Sequence, residues 1–142
     1  MATNAQTQVR YEIEPSVSDA ALNELFATAW EPYVEHSFMP ALEKSLTYVC
    51  AFAESQLVGF VNVAWDGDIH AFILDTAVRR SFQRRGVGTR LVRTAAEIAT
   101  ERGMEWLHVD YESHLDGFYR GCGFRSTPAG VVNLKQESRK PR

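Results

Sequence analysis

Apolar and polar positions alternate over Val9–Ile13, with Val9, Tyr11 and Ile13 set against Arg10 and Glu12, which predicts a short strand. Ser18-Asp19 then reads as a helix cap followed by an acid in the first turn, and Leu22, Leu25, Phe26 and Ala29 give that helix one apolar face. Glu31 to Pro40 holds two prolines and carries Tyr33, His36 and Phe38 just after Trp30, an aromatic-rich loop able to line a pocket or simply to cover the core. Ala41–Leu46 predicts a short second helix. Strand signals follow at Thr47–Ala53, Leu57–Trp65 and Ile69–Val78, with Asp66-Gly67 as the hairpin turn between the last two. The third of these strands contains Ala71-Phe72-Ile73-Leu74, apolar on both faces, as a central strand covered twice requires. Gly86–Arg102 is the longest helical pattern, with Val87, Leu91, Ala95 and Ile98 on one face and Gly103 as its stop. Glu105–Tyr111 predicts a further strand, His114–Cys122 a short helix, and Phe124–Ser126 and Val131–Leu134 two terminal strands. Hairpins followed by strand, helix and strand imply an α/β fold with a mixed sheet.

The chain has 142 residues, which places all of it in a single expected domain, 1–142, with 1–8 and 135–142 expected to be flexible. No apolar run approaches the ~18 residues of a membrane span, and Met1–Arg10 has no apolar stretch of a secretory signal. Cys50 and Cys122 make no disulfide framework, so a reducing cytoplasm is the expected location. Net charge is −3, which argues against nucleic acid as a partner. The distribution says more than the total. Between Arg79 and Arg93 lie six arginines and no acid. An acidic chain with one concentrated basic segment points to a small polyanion bound locally, or to a solvated helix face.

That segment contains Gln83-Arg84-Arg85-Gly86-Val87-Gly88-Thr89, between the central strand and the long helix. Its two glycines let the backbone approach a ligand, and the N–H groups of the first helical turn favour an anion. Thr89-Arg90 after Gly88 rules out a Walker loop. Leu91 stands where a dinucleotide fingerprint needs a third glycine, which leaves only a weak dinucleotide pattern with Asp110 as the ribose acid.

The run Val78 to Leu91 resembles the acetyl-CoA signature of the GNAT N-acetyltransferase superfamily, whose core is Gln/Arg-x-x-Gly-x-Gly/Ala. A second block, Phe118-Tyr119-Arg120-Gly121-Cys122-Gly123-Phe124, resembles that family's Phe-Tyr-x-x-x-Gly-Phe. The resemblance implies a mixed, mostly antiparallel sheet with a central splayed strand pair, flanked by about four helices. It implies acetyl-CoA as co-substrate, with Gln83, Arg84, Arg85, Gly86, Val87, Gly88 and Thr89 at the pyrophosphate, Ala77 and Val78 along the pantetheine arm, and Phe118 packed near it. Tyr119 matches the tyrosine that protonates the departing thiolate. Where the family often has Asn, Glu112 stands here, and a carboxylate cannot donate as an amide does. Where the family often has Pro before the loop, Arg80 stands here.

Acetyl transfer needs a neutral amine, hence a base. Asp75 is the first candidate because it interrupts an apolar run, where a charge is costly unless paired or used; Glu112, Asp110, His108 and His70 are rivals. In an ideal strand His70, Phe72, Leu74 and Thr76 share one face and Asp75 takes the other, unless a bulge intervenes. No metal site is visible, since His36, His70, His108 and His114 show no helical i, i+4 pairing. The expected function is acetyl transfer from CoA to a primary amine of a small molecule, with no nucleic acid or membrane partner. The other readings are a non-catalytic acyl-CoA-binding module, a protein N-acetyltransferase and a nucleotide-binding protein. The resemblance also implies a homodimer through the C-terminal strands, which the residues themselves leave open.

Overall fold

The structure, a computed structural model, describes residues 8–137; the ends expected to be flexible lie largely outside the described residues. Two compact units emerge, one ending at Val109 and the other starting at Asp110.

The first unit is built on a five-stranded sheet in the order β1 (Val9–Ile13), β2 (Thr47–Ala53), β3 (Gln56–Trp65), β4 (His70–Val78), β5 (Trp106–His108). The first four strands are antiparallel neighbours, as short hairpin connections dictate, and β5 joins β4 in parallel after a helical crossover. Helix α1 (Asp19–Ala29) starts where expected, with Ser18 Oγ accepting from the Ala21 N–H at 3.0 Å. Helix α2 (Met39–Lys44) begins two residues earlier than its pattern indicated, because Pro40 suits the first helical turn. Helix α3 (Val87–Glu101) ends before Gly103, whose φ of +90° makes it the helix stop.

The two long helices cover opposite faces. Phe60 and Ala77 pack with Leu22, Leu25 and Phe26 of α1, while a Cβ built at Gly59 would meet Leu91 and Val87 of α3. Adjacent strand residues point to opposite faces, so α1 and α3 sandwich β3 and β4. At Gly59 that added carbon would lie 2.9 Å from Leu91 Cδ1, 3.1 Å from Val87 Cγ1 and 3.2 Å from Ala51 Cβ. The glycine is there for close approach of α3. Gly59→Ala is expected to cost about 1–3 kcal/mol by overpacking and to displace the first turn of α3; thermal unfolding and amide hydrogen exchange in that turn check the two effects.

The second unit holds α4 (Asp116–Gly121), preceded by a 3-10 turn at Ser113–Leu115, and a last helical turn at Leu134–Glu137. The terminal strands expected at Phe124–Ser126 and Val131–Leu134 are absent from the described residues. A strand needs a partner, and these short runs are separated by Pro128-Ala129-Gly130, with Phe124 turned onto Tyr119 instead and Val131 85% exposed. Likewise the strand expected over Glu105–Tyr111 shrinks to three residues.

Candidate active site

β4 and β5 pair only at His70–Trp106, Ala71–Leu107 and Phe72–His108, after which β4 runs on without a partner on that side from Ile73 to Val78. This is the splayed pair the sequence resemblance implied. The open stretch offers unpaired backbone groups to an extended ligand, as a sheet edge offers them to an added strand. Ala77 and Val78 both lie on it.

A β-bulge sits in the middle of that stretch. Phe60 pairs with Ala77 and Asn62 with Leu74, so Asp75 and Thr76 together oppose Val61. Asp75 carries the strain, with φ +57°, a left-handed conformation that a short polar residue tolerates better than its apolar neighbours would. The alternation expected for an ideal strand therefore breaks here, and Thr76 does not share a face with Phe72 and Leu74. The Asp75 carboxyl retains solvent access, yet the protein crowded around it strips enough hydration to raise its pKa, opposed by the nearby His36. Thr76 Oγ1 is buried with no hydrogen-bond partner, at a cost of about 1–3 kcal/mol.

The loop after β4 turns the chain into a cradle. Arg84 at φ +64° and Gly86 at φ +82° are both left-handed, flanking Arg85, an alternation that makes backbone N–H groups converge. Gly86 is the cap residue of α3 and no side chain bonds the helix start, so the N–H groups of Val87, Gly88 and Thr89 face outward with the helix dipole behind them. Gln83 is not part of the opening: its Nε2 donates to Val78 O at 3.0 Å and ties the loop to the strand end. The six arginines divide the work. Arg79 is buried, donating to both Glu24 carboxylate oxygens at 2.9 and 2.5 Å and to Leu57 O at 2.7 Å; Arg80 donates to Thr28 O; Arg85 lies over the Phe82 ring and Arg90 over the Tyr11 ring. The expected +6 patch is thus partly structural. Exposed Arg84 and Arg85 stand at the cradle itself.

The aromatic loop 31–38 is fastened to α1 by a residue the sequence did not flag. Buried Asn23 accepts from Tyr33 Oη at 2.5 Å and from the His36 N–H at 3.1 Å, and its Nδ2 donates to His36 O at 2.8 Å. Asp19 accepts from Ser37 Oγ and the Phe38 N–H, which lowers its pKa. Tyr33 and Phe38 stack on Phe26, and Phe38 also meets Phe60. Charge from Glu35, Asp75 and Asp19 adds to desolvation in raising the Tyr33 pKa, so the loop and the bulge share one electrostatic neighbourhood. Asn23→Leu would strand the Tyr33 and His36 polar groups. It is expected to cost about 1–3 kcal/mol and to expose the loop to chymotrypsin at Tyr33, read by thermal unfolding and limited proteolysis.

His70 Nδ1 and His108 Nε2 lie 2.8 Å apart at the closed end of the splay, with His108 stacked on Phe72. His70 precedes Asp75 by five residues, roughly 16 Å along a strand, and His108 pairs with Phe72, roughly 10 Å before it. Among the described residues no group of three metal-ligating side chains occurs, and no helix is long and apolar enough to cross a membrane. An open hollow at the β2–β3 turn, lined by Ala53, Glu54, Ser55, Gln56 and Phe82, holds none of the candidate catalytic residues.

In the second unit Tyr119 is buried in an aromatic cage. Its ring stacks on Tyr111 at 4.9 Å and meets Phe118 and Phe124 edge-on at 4.8 and 5.7 Å. Asp116 organises the unit by accepting from Tyr111 Oη, Ser126 Oγ and Arg120 Nε, and these bonds lower its pKa. Glu112 is exposed, 3.6 Å from His114. Asp110 is exposed as well.

An open strand edge leading to an uncapped helix start within a glycine turn gives this α/β fold backbone donors for an extended ligand and, at its end, for an anion. Residues 18–124 match the model of the Acetyltransferase (GNAT) family, and the chain belongs to that family. It is 32% identical over 87 residues to GCN5-related N-acetyltransferase 1 of Arabidopsis thaliana chloroplasts, covering 58% of this chain and 44% of that protein. It is 28% identical over 123 residues to chloroplastic serotonin N-acetyltransferase 2 of Oryza sativa, covering 80% of this chain and 60% of that one. The chain thus spans about half the length of these curated relatives. Among solved structures, an acetyltransferase from Deinococcus radiodurans superposes with a TM-score of 0.76 at 20% identity over the full length of both chains. A GNAT family protein from Streptococcus pneumoniae gives 0.68 at 24% identity, covering 89% of this chain and 98% of that one. AAC(6')-Iy, solved with the bisubstrate analogue CoA-S-monomethyl-acetylneamine, gives 0.73 at 16% identity, covering 89% of this chain and 97% of that one. At these identities the structural likenesses establish the fold.

Proposed function

We propose that this chain transfers an acetyl group from acetyl-CoA to a primary amine of a small molecule. The observation that carries the reading is the contiguity of the open β4 edge, Ile73 to Val78, with the uncapped start of α3 between left-handed Arg84 and Gly86. Such a slot ending in an anion cradle fits a pantetheine arm ending in a pyrophosphate. The N–H groups of Gly86 to Thr89 hold the pyrophosphate, Arg84 and Arg85 add charge, Ala77 and Val78 pair with the arm, and Phe118 packs near it. Gln83 acts by shaping the loop.

Acetyl-CoA supplies an activated acyl group on a thiolate leaving group. The protein moves the protons. Asp75 accepts one from the incoming ammonium, directly or through water, leaving a lone pair to attack. Its crowded surroundings raise its proton affinity, bringing it closer to the task than an ordinary aspartate. Asp75 serves better than Glu112 because it sits in the bulge on the open stretch of β4 itself. Tyr119 Oη donates to the departing sulfur. The acceptor enters beside loop 31–38, where Tyr33, His36 and the carboxylates Asp19, Glu35 and Asp75 suit a cationic amine. The relative named for serotonin, and an aminoglycoside acetyltransferase of the same fold from an uncultured soil sample, support a small-molecule acceptor. The described residues hold no disulfide, which suits a reducing compartment such as the cytoplasm.

Calorimetric titration with acetyl-CoA, with NAD and ATP as controls, tests the reading. Micromolar binding of acetyl-CoA alone is expected, followed by amine-dependent thiol release across an acceptor panel. A folded protein that ignores acetyl-CoA rejects it. Binding without turnover on any amine turns the chain into an acyl-CoA-binding module.

A further inference from the structure

We propose that the Thr76 hydroxyl is a contact for the acyl end of the bound pantetheine arm, completing there a hydrogen bond that the fold leaves unmade. This rests on the acetyl-CoA reading. Thr76 is the second residue of the bulge, on the stretch of β4 from which β5 has splayed away. Ala77 packs against α1, and strand alternation turns Thr76 to the opposite face, the side of α3 and its cradle. The residue is half-buried, yet its Oγ1 is wholly buried and unpartnered. Whatever surface Thr76 shows to solvent therefore belongs to its other atoms, the reverse of what hydration favours. A step of about 120° in χ1 moves Oγ1 to the position now held by Cγ2 or by Hβ, out of the one in which it has no partner. A ligand lying in the slot with a thioester carbonyl or amide gives the hydroxyl a partner that its own protein withholds. The folded protein thus carries an unsatisfied polar group where the proposed ligand would pass, and binding relieves it.

The isosteric variant Thr76→Val separates the two states. Without ligand, its melting temperature is expected to equal or exceed that of the wild type, because a buried orphan hydroxyl has been removed. Its Kd for acetyl-CoA is expected to rise about threefold to tenfold, with Thr76→Ser binding close to wild type. Calorimetry and thermal unfolding read these independently of turnover. Unchanged affinity in Thr76→Val overturns the proposal. So does a lower melting temperature in Thr76→Val that Thr76→Ser does not share, since the hydroxyl would then have a partner within the protein. If the wild type itself fails to bind acetyl-CoA, the parent reading falls at that step, before any variant is measured, and takes this inference with it.

Discussion

Replacing Asp75 by Asn is expected to lower kcat about a hundredfold while raising the melting temperature at neutral pH. The two effects share a cause. Crowding by the surrounding protein raises the Asp75 pKa above its ordinary 3.8 in the folded state. The folded protein therefore holds that proton more tightly than the unfolded chain does. The resulting stability is present below the unfolded pKa and is lost as pH rises through the higher folded one. At pH 7 the charged carboxylate is a strain on the fold, and an amide of the same shape is not. The stability gap between Asp75→Asn and wild type should close on acidification, when Asp75 becomes neutral too. Activity runs the other way: kcat/KM of the wild type should fall as pH drops through the raised pKa, and the variant should lack that acid limb. A pH series of unfolding curves and rates tests both halves. Wild-type kcat in Asp75→Asn would remove Asp75 as the base and return the role to Glu112.

Tyr119→Phe keeps the ring that stacks on Tyr111 and meets Phe118 and Phe124, and removes only the hydroxyl. It is expected to cut kcat roughly tenfold to hundredfold and to leave the acetyl-CoA Kd within about twofold, because the lost proton donor acts only as the thiolate departs. Steady-state rates by thiol release, set beside calorimetric affinity, distinguish this from a packing role, which would shift stability and binding while sparing kcat. Unchanged turnover would leave Tyr119 as a core aromatic.

Much of this architecture follows from local pattern. The three strands from Thr47 to Val78, the capped start of α1 and the glycine stop of α3 all rest on periodicity and turn chemistry, which act within a few residues. The glycine turn was legible because left-handed backbone at Gly86 has few residue choices. The bulge was not, since it depends on how β4 registers against β3. The only local sign is Asp75-Thr76 inside an apolar run, which reads equally well as a catalytic carboxylate. Arg79 looked like one more cation of a basic patch; its partner Glu24 lies 55 positions away on α1. Asn23 gave no signal at all, because its three loop bonds exist only once residues 31–38 fold back. The expected terminal strands failed for a related reason: alternation proposes a strand, but a neighbouring strand must accept it.

Asn23 and Glu24 are consecutive on α1, one holding loop 31–38 and the other, through Arg79, the root of the loop after β4. Two segments with no sequence continuity are therefore indexed to a single rotational phase. Consecutive helical residues differ by about 100°, so one residue inserted ahead of Asn23 would swing both hooks off their targets together. The loops themselves can lengthen, but the turn count between the Ser18 cap and this pair sets where both are held. In this chain α1 works as a camshaft: the phase that turns Leu22, Leu25 and Phe26 into the core also sets both hooks.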